Sequence, residues 1–209
     1  MTTIYLIRHS QPFRKLLGNY KANETEQLKN EKNILSVLGE ELAKEISDKI
    51  ELQNIDVLYS SNYVRAMSTA KYIAEKNKIN LNVEERLGER KFGVNSMKEL
   101  PDNFYRNQSL DWNYKLLNGE SLNEVKIRMN DVINEIIIAN KNKNIAIVSH
   151  GTAITAFLKN LCEIKFNSET GNNEIYFNHK LIFDGNWNCP ELFKLKFNNN
   201  KLISIENVR

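Results

Sequence analysis

Residues 1–12 read MTTIYLIRHSQP. Ile4 to Ile7 form an unbroken apolar run, the pattern of a strand buried on both faces inside a parallel sheet. The run ends at once in Arg8 and His9. Residues 144–151, NIAIVSHG, repeat the pattern: an apolar run stops at Ser149-His150-Gly151 and leads into TAITAFLKNLC, which reads as a helix. A third stretch, IDVLYSS (55–61), reads as a strand ending near Tyr59, ahead of the helical NYVRAMSTAKYIAEK with Arg65 in its first turn.

In an open parallel sheet, ligands bind beyond the carboxyl ends of the strands. Two histidines and two arginines at three such ends can therefore converge on one pocket. The free amides at the start of the helix after Gly151 add to it. Arginine forks and helix amides suit an anion, and the guanidinium matches phosphate oxygens two at a time. Each element alone is ordinary; the conjunction at strand-to-helix junctions carries the inference.

Around these three segments, strands alternate with helices, which predicts an α/β layer fold with a mainly parallel sheet. Residues 13–33 are polar with little periodicity and read as a long loop with a turn of helix. In ILSVLGEELAKEISDKI (34–50), Leu38, Leu42, Ala43, Ile46 and Ile50 recur every three or four residues, predicting an amphipathic helix capped by Ser36. In the helix carrying Arg65, the expected inner face is Val64, Met67, Ala70 or Lys71, and Ile73–Ala74. INLNVEERL (79–87) reads as extended, and Gly93 to Gly119 as loop mixed with short helix. ESLNEVKIRMNDVINEIIIANK (120–141) carries a capping box, Ser121 with Glu124, ahead of Val125, Met129, Val132, Ile133 and Ile136. The C-terminal third holds two or three more strands, the best being ELFKLKF and KLISIEN around a turn at Asn198–Asn200. A chain of 209 residues with no repeat is expected to form one domain, 1–209.

Composition narrows the function. The chain is 41% apolar and 26% charged, with a net charge of +3, as for an ordinary globular protein. Basic and acidic residues are interspersed, which argues against a nucleic-acid partner. No stretch approaches the roughly 20 apolar residues of a membrane span, and the first apolar run is too short for a secretory signal. Cys162 and Cys189 fall in neither a metal-binding nor a disulfide spacing, so a reducing cytoplasm is the expected home. The third histidine, His179, is expected to be structural or exposed.

Six motifs in order resemble those of the histidine phosphatase superfamily, the phosphoglycerate-mutase-like proteins. LIRHSQP is similar to that family's LIRHGET opening, LSVLGEELA to LT-x-x-G-x-x-QA, and YSSNYVRAMSTA to S-S-x-x-x-R-A-x-x-T-A. RLGERKFG is similar to L-x-E-x-x-F/Y-G, NGESLNEV to GES-x-x-E, and IVSHGTAI to VSHG-x-x-I. The resemblance spans nearly the whole chain and implies a three-layer α/β/α sandwich. It also implies that His9 takes up the phosphoryl group, that Arg8, Arg65, His150 and the Gly151 amide hold the phosphate, and that Glu89 protonates the leaving group. His9 would have to attack as neutral imidazole. No metal or cofactor is required. The partner is a small phosphomonoester; the oligomeric state is not readable. Glu89 must be chosen from a charged run with Glu84, Glu85 and Glu120, and its spacing to Phe92-Gly93 favours it.

Three departures bear on activity. Ser10 stands where the family usually has glycine, Pro12 where it usually has Thr or Ser, and Thr155 where many relatives carry a basic residue. Three functions fit the pattern: a metal-independent phosphatase acting through phosphohistidine, a cofactor-dependent phosphoglycerate mutase, and a catalytically silent phosphate-binding protein. The short segment 94–118, with Pro101 as its one proline and no basic cluster beyond Arg90, Lys91, Lys98 and Arg106, favours the phosphatase. The pocket rim is expected from residues 11–33 and 94–118.

Overall fold

The computed structural model describes residues 1–13 and 24–209. The expected loop across 13–33 therefore falls partly outside the described residues; within them a short helix, α1 (Glu26–Lys32), is present. The remaining elements run β1 (Thr2–Arg8), α2 (Val37–Ser47), β2 (Val57–Ser60), α3 (Val64–Asn77), β3 (Leu81–Val83), α4 (Phe104–Leu110), α5 (Leu122–Ala139), β4 (Asn144–Ser149), α6 (Gly151–Leu158), β5 (Glu163–Asn167), β6 (Asn172–Phe177), β7 (Lys180–Phe183), β8 (Glu191–Asn198) and β9 (Lys201–Asn207).

Six strands form one sheet in the order β3-β2-β4-β1-β8-β9. The first four are mutually parallel; β8 and β9 add antiparallel at one side. The α/β expectation with a mainly parallel sheet holds. The apolar runs are continuous because both faces of the sheet are covered. Ile4, Leu6, Ile145 and Ile147 point to one side, where they pack with Val125, Met129 and Ile133 of α5 and Ile154 and Phe157 of α6. Tyr5, Ile7, Ala146 and Val148 point to the other, against Ile46 of α2 and Ala66, Ala70 and Ile73 of α3. One residue of register separates the two cores.

The capping box of α5 is formed as expected: the Ser121 side chain accepts from the Glu124 amide and the Glu124 carboxylate from the Ser121 amide. Two helix faces are rotated from the expected ones. In α2 the buried residues are Gly39, Ala43, Ile46 and Ser47, while Leu38 is 49% and Ile50 77% exposed. Asp48 ends the helix before Ile50, and Gly39 is turned inward because the Gln11 carbonyl lies against it. In α3 the buried face is Arg65, Ala66, Thr69, Ala70 and Ile73. Small side chains bring α3 close to the sheet, and the polar members are held by hydrogen bonds, so a hydrophobicity pattern does not single them out. The C-terminal third contains five strands, more than expected: β5, β6 and β7 form a separate antiparallel sheet of short, largely polar strands.

Gly39 ties α2 to the segment after β1. Its carbonyl accepts from Ser10 Oγ at 2.7 Å, and the amide of Ser36, the α2 cap, donates to the Gln11 carbonyl at 3.0 Å. A Cβ at position 39 would collide with that carbonyl, which is backbone and cannot swing aside. Gly39→Ala is therefore expected to cost more than about 2 kcal/mol despite alanine's better helix propensity, a loss outside the usual range for an Ala-for-Gly change. Denaturant unfolding of the variant checks this, and an unchanged midpoint would refute the close approach.

Candidate active site

Parallel pairing of β1 with β4 sets Arg8 beside Ser149, and the His9 amide donates to the Ser149 carbonyl at 3.0 Å. Pairing of β2 with β4 sets Ser60 beside Val148, and the Ser61 amide donates to the Val148 carbonyl. Three strand ends thus meet, and the His9 and His150 ring centroids lie 5.0 Å apart. Arg65, from the first turn of α3, reaches across both rings. Its Nε–H donates to His9 Nε2 at 3.0 Å and its Nη2–H to His150 Nδ1 at 3.2 Å, while Nη1 donates to the Asn30 carbonyl.

These bonds fix the tautomers. A guanidinium cannot accept a hydrogen bond, so His9 Nε2 and His150 Nδ1 both carry lone pairs. The remaining ring nitrogens are donors: His9 Nδ1–H to the Ser10 carbonyl at 2.7 Å, and His150 Nε2–H to Ser61 Oγ at 2.7 Å. Both histidines are held well below the ordinary histidine pKa of 6.5, first by burial and then by the Arg65 charge. His9 is thus a neutral imidazole whose free lone pair faces a cation.

Ser10 does not adopt a positive φ, so glycine is not required there. Its amide donates to Thr69 Oγ1 and its hydroxyl to the Gly39 carbonyl, so the side chain braces the loop. Pro12 forms an isolated bridge with Leu35. Its ring occupies a position whose amide is not needed, because Phe13 makes the next bond, to Ile34.

Arg8, Glu89 and Gly151 line a cleft of about 360 Å³ together with Arg90, Tyr105, Gln108, Thr155 and Trp187. Of the expected rim, 94–118 contributes Tyr105, Gln108 and Ser109, whereas no described residue of 11–33 lines this cleft and 14–23 lie outside the described residues; the loop before β8 and the start of β6 contribute as well. Trp187, which no sequence signal marked, stacks over the Arg8 guanidinium at 5.6 Å, and Arg8 Nη1 donates to the Asn188 carbonyl. Arg8 Nε is buried without a hydrogen-bond partner among the described residues. Ser61, within YSSNYVRA, likewise carries no sequence signal of its own, because its partner His150 lies 89 residues away.

Glu89 sits at the N-terminus of α6, where its oxygens accept from the amides of Thr152 (3.3 Å), Ala153 (3.1 Å) and its neighbour Arg90 (2.9 Å). His150, the residue before the helix, makes no side-chain cap, so Glu89 supplies one from another segment. The competing carboxylates are engaged elsewhere: Glu84 with Arg86, Glu120 with Arg128, and Glu85 is exposed. His179 lies in the exposed turn between β6 and β7 with a φ of 64°. Among the described residues, no group of three or more His, Cys, Asp or Glu is placed to hold a metal ion. No helix among them is long and apolar enough to cross a membrane.

The arrangement sets the Arg65 guanidinium against two neutral imidazoles, beside a cleft lined by Arg8, Arg90 and the Glu89 carboxylate. Several known proteins are similar to this chain. Phosphoserine phosphatase 1 of Hydrogenobacter thermophilus is 26% identical over 163 residues, 75% of this chain and 74% of that protein. A probable phosphoglycerate mutase of Erwinia tasmaniensis is 24% identical over 180 residues, 81% of this chain and 79% of the relative. Among solved structures, the mycobacterial glucosyl-3-phosphoglycerate phosphatase complexed with VO3 superposes with a TM-score of 0.70 at 18% identity, covering 98% of this chain and 96% of that one. Phosphoserine phosphatase of Entamoeba histolytica in complex with 3-phosphoglyceric acid gives 0.68 at 21%, covering 100% and 98%. These share the fold. The pattern of the histidine phosphatase superfamily (branch 1) matches residues 4–175, and the chain belongs to that family.

Proposed function

We propose that this protein is a phosphatase that hydrolyses a small phosphomonoester through a phosphohistidine on His9, without a metal. The observation that carries this reading is the Arg65 Nε–H bond to the lone pair of His9 Nε2 at 3.0 Å. It marks a neutral imidazole poised where two guanidiniums gather negative charge. On binding, phosphate oxygens take over the donors of Arg65, together with those of Arg8 and the Gly151 amide, and Nε2 is released to attack. The Nε2–P bond forms as the P–O ester bond breaks, and the electron pair leaves on the ester oxygen, which takes a proton from Glu89. Water then attacks phosphorus and gives a proton back to Glu89, and the Nε2–P bond returns its electron pair to His9. His150 donates from Nε2 to Ser61 already; a phosphate dianion nearby favours protonation of its Nδ1, which then serves as a further cationic partner. Positioning and electrostatics supply the rate.

Arg90 supports a finer reading of the substrate. It is 3% exposed, lies over the rings of Phe92, Phe104 and Tyr105 at 4.4, 5.1 and 5.7 Å, and its Nε has no hydrogen-bond partner among the described residues. A buried guanidinium with no ion pair, lining the same cleft as Arg8, suits a second anionic group on the substrate. A carboxylate fits, as carried by the 3-phosphoglyceric acid and phosphoserine seen with the Entamoeba protein. Relatives named as probable mutases keep phosphoglycerate mutase as the alternative. It requires activity dependent on a bisphosphoglycerate primer, which the phosphatase reading does not. A silent relative would turn over no phosphate ester at all.

Three outcomes test this. His9→Ala should abolish hydrolysis of an aryl phosphate with the fold intact by circular dichroism, and the wild type should trap a phosphoenzyme labile in acid and stable in base. An acid-stable phosphoenzyme would exclude histidine. The pH dependence follows from the lowered His9 pKa: a base depressed below 6.5 stays neutral and active as pH falls. After correction for substrate ionisation, the acid limb of kcat/KM should lie below pH 6.5, and a limb at or above that value would contradict the geometry. Arg90→Met should raise KM for phosphoserine about 10- to 100-fold, as expected for a lost charged hydrogen bond, while leaving an aryl phosphate nearly unaffected. Equal effects on the two would remove the carboxylate from the reading.

A further inference from the structure

Residues 89–94, between the turn of helix at Glu85–Leu87 and the next at Met97–Glu99, have no regular secondary structure. Their backbone groups need partners, yet the carboxylate of Glu89 must be held at a fixed place in the cleft. Arg128 of α5 provides for this. All five of its N–H groups are in use. Nη1 donates to the carbonyls of Arg86 (2.8 Å) and Gly88 (3.1 Å), and Nη2 to that of Glu89 (3.3 Å). Nε and the second Nη2 hydrogen grip the two oxygens of Glu120 at 2.7 and 3.0 Å.

Glu120 in turn accepts from the Lys91 amide at 2.9 Å, and its own amide donates to the Lys91 carbonyl at 2.8 Å. One ion pair therefore holds the segment from Arg86 to Lys91 at both ends, with Glu89 between. The segments meet closely because Gly93, at a φ of 80°, and Gly119 lie at the contact: a Cβ on Gly93 would strike the backbone of Asn118 and Gly119, and one on Gly119 that of Phe92. The base of the clamp is rigid: Ser121 and Glu124 cap α5 one residue after Glu120. Neither Arg128 nor Glu120 lines the cleft around Arg8 and Gly151.

We propose that the Arg128–Glu120 pair is a positioning device for the acid, setting where the Glu89 carboxylate stands relative to the leaving oxygen without touching substrate. This rests on the reading of Glu89 as proton donor. Lysine at 128 keeps the charge but has three donors in place of five and no planar fork, so it cannot hold three carbonyls and a carboxylate together. Misplacement of a catalytic group by about 1 Å can cost about 100-fold.

The test uses Arg128→Lys and, should that variant fold poorly, Glu120→Gln, each in the wild-type and Glu89→Gln backgrounds. Alkyl and aryl phosphates are compared in single-turnover phosphoenzyme formation. An aryl group leaves as a stable phenolate and needs little protonation; an alkoxide needs it most. Arg128→Lys should slow transfer from the alkyl phosphate about 10- to 100-fold at unchanged KM, leave transfer from the aryl phosphate nearly intact, and cost nothing further once Glu89 is Gln. A loss equal for both esters, or one that persists undiminished in the Glu89→Gln background, overturns the clamp, because a general structural role would give it. If Glu89→Gln itself does not discriminate between the esters, the acid assignment falls and the clamp with it. A selective Glu89→Gln with an unselective Arg128→Lys overturns the clamp alone.

Discussion

Arg8 and Arg90 line one cleft, Arg65 bonds to the His9 and His150 rings, and among the described residues none of the three guanidiniums makes an ion pair with a carboxylate. Buried charge without a partner is costly, and a fold keeps it only where the surrounding structure imposes it. Here the surroundings offer substitutes. Arg65 donates to two imidazole lone pairs and a carbonyl, Arg8 donates to the Asn188 carbonyl and lies over the Trp187 ring, and Arg90 lies against three aromatic faces. Each substitute is weaker than an anion and can be given up to one. That is the basis for proposing that the site takes an anion.

The same economy explains the histidines. A protonated His9 would face Arg65 across a hydrogen bond with no acceptor, so the Arg65 guanidinium keeps the His9 ring neutral. Burial strengthens this, since it penalises the charged imidazole further. Glu89 is placed on the other side of the problem. At the N-terminus of α6 its carboxylate answers the free amides of Thr152 and Ala153, a favourable contact between negative charge and the positive end of a helix. In the proposed reading, a phosphate at Gly151 would draw on that same helix end and share its positive potential with the carboxylate.

Much of the fold was readable because its strands are short apolar runs that stop abruptly at charged or polar residues. Ile4–Ile7 and Ile145–Val148 alternate between two cores, and no other reading of an unbroken apolar run of that length between helices is comfortable. The α5 cap was equally plain, since Ser121 and Glu124 satisfy each other within one turn. The faces of α2 and α3 were not, because periodicity counts apolar side chains, and these helices bury Gly39, Thr69 and Arg65. The small sheet β5-β6-β7 escaped because its strands are polar and only Ile175 and Phe183 among them are fully buried.

By itself the sequence determined the α/β order, the strand ends at His9 and His150, and the set of ionisable groups, because each is a local matter of periodicity and of residue type at a junction. Only the tertiary structure decided how those groups act on one another. Which ring nitrogen of each histidine is free depends on Arg65, 56 residues from His9 and 85 from His150. Which of four glutamates stands at the cleft shows only where Glu89 meets the amides of α6. That Ser10 serves where glycine was expected depends on the Gly39 carbonyl. Hydrogen bonds and burial are made between distant segments, and a linear pattern names the partners without saying which of them will meet.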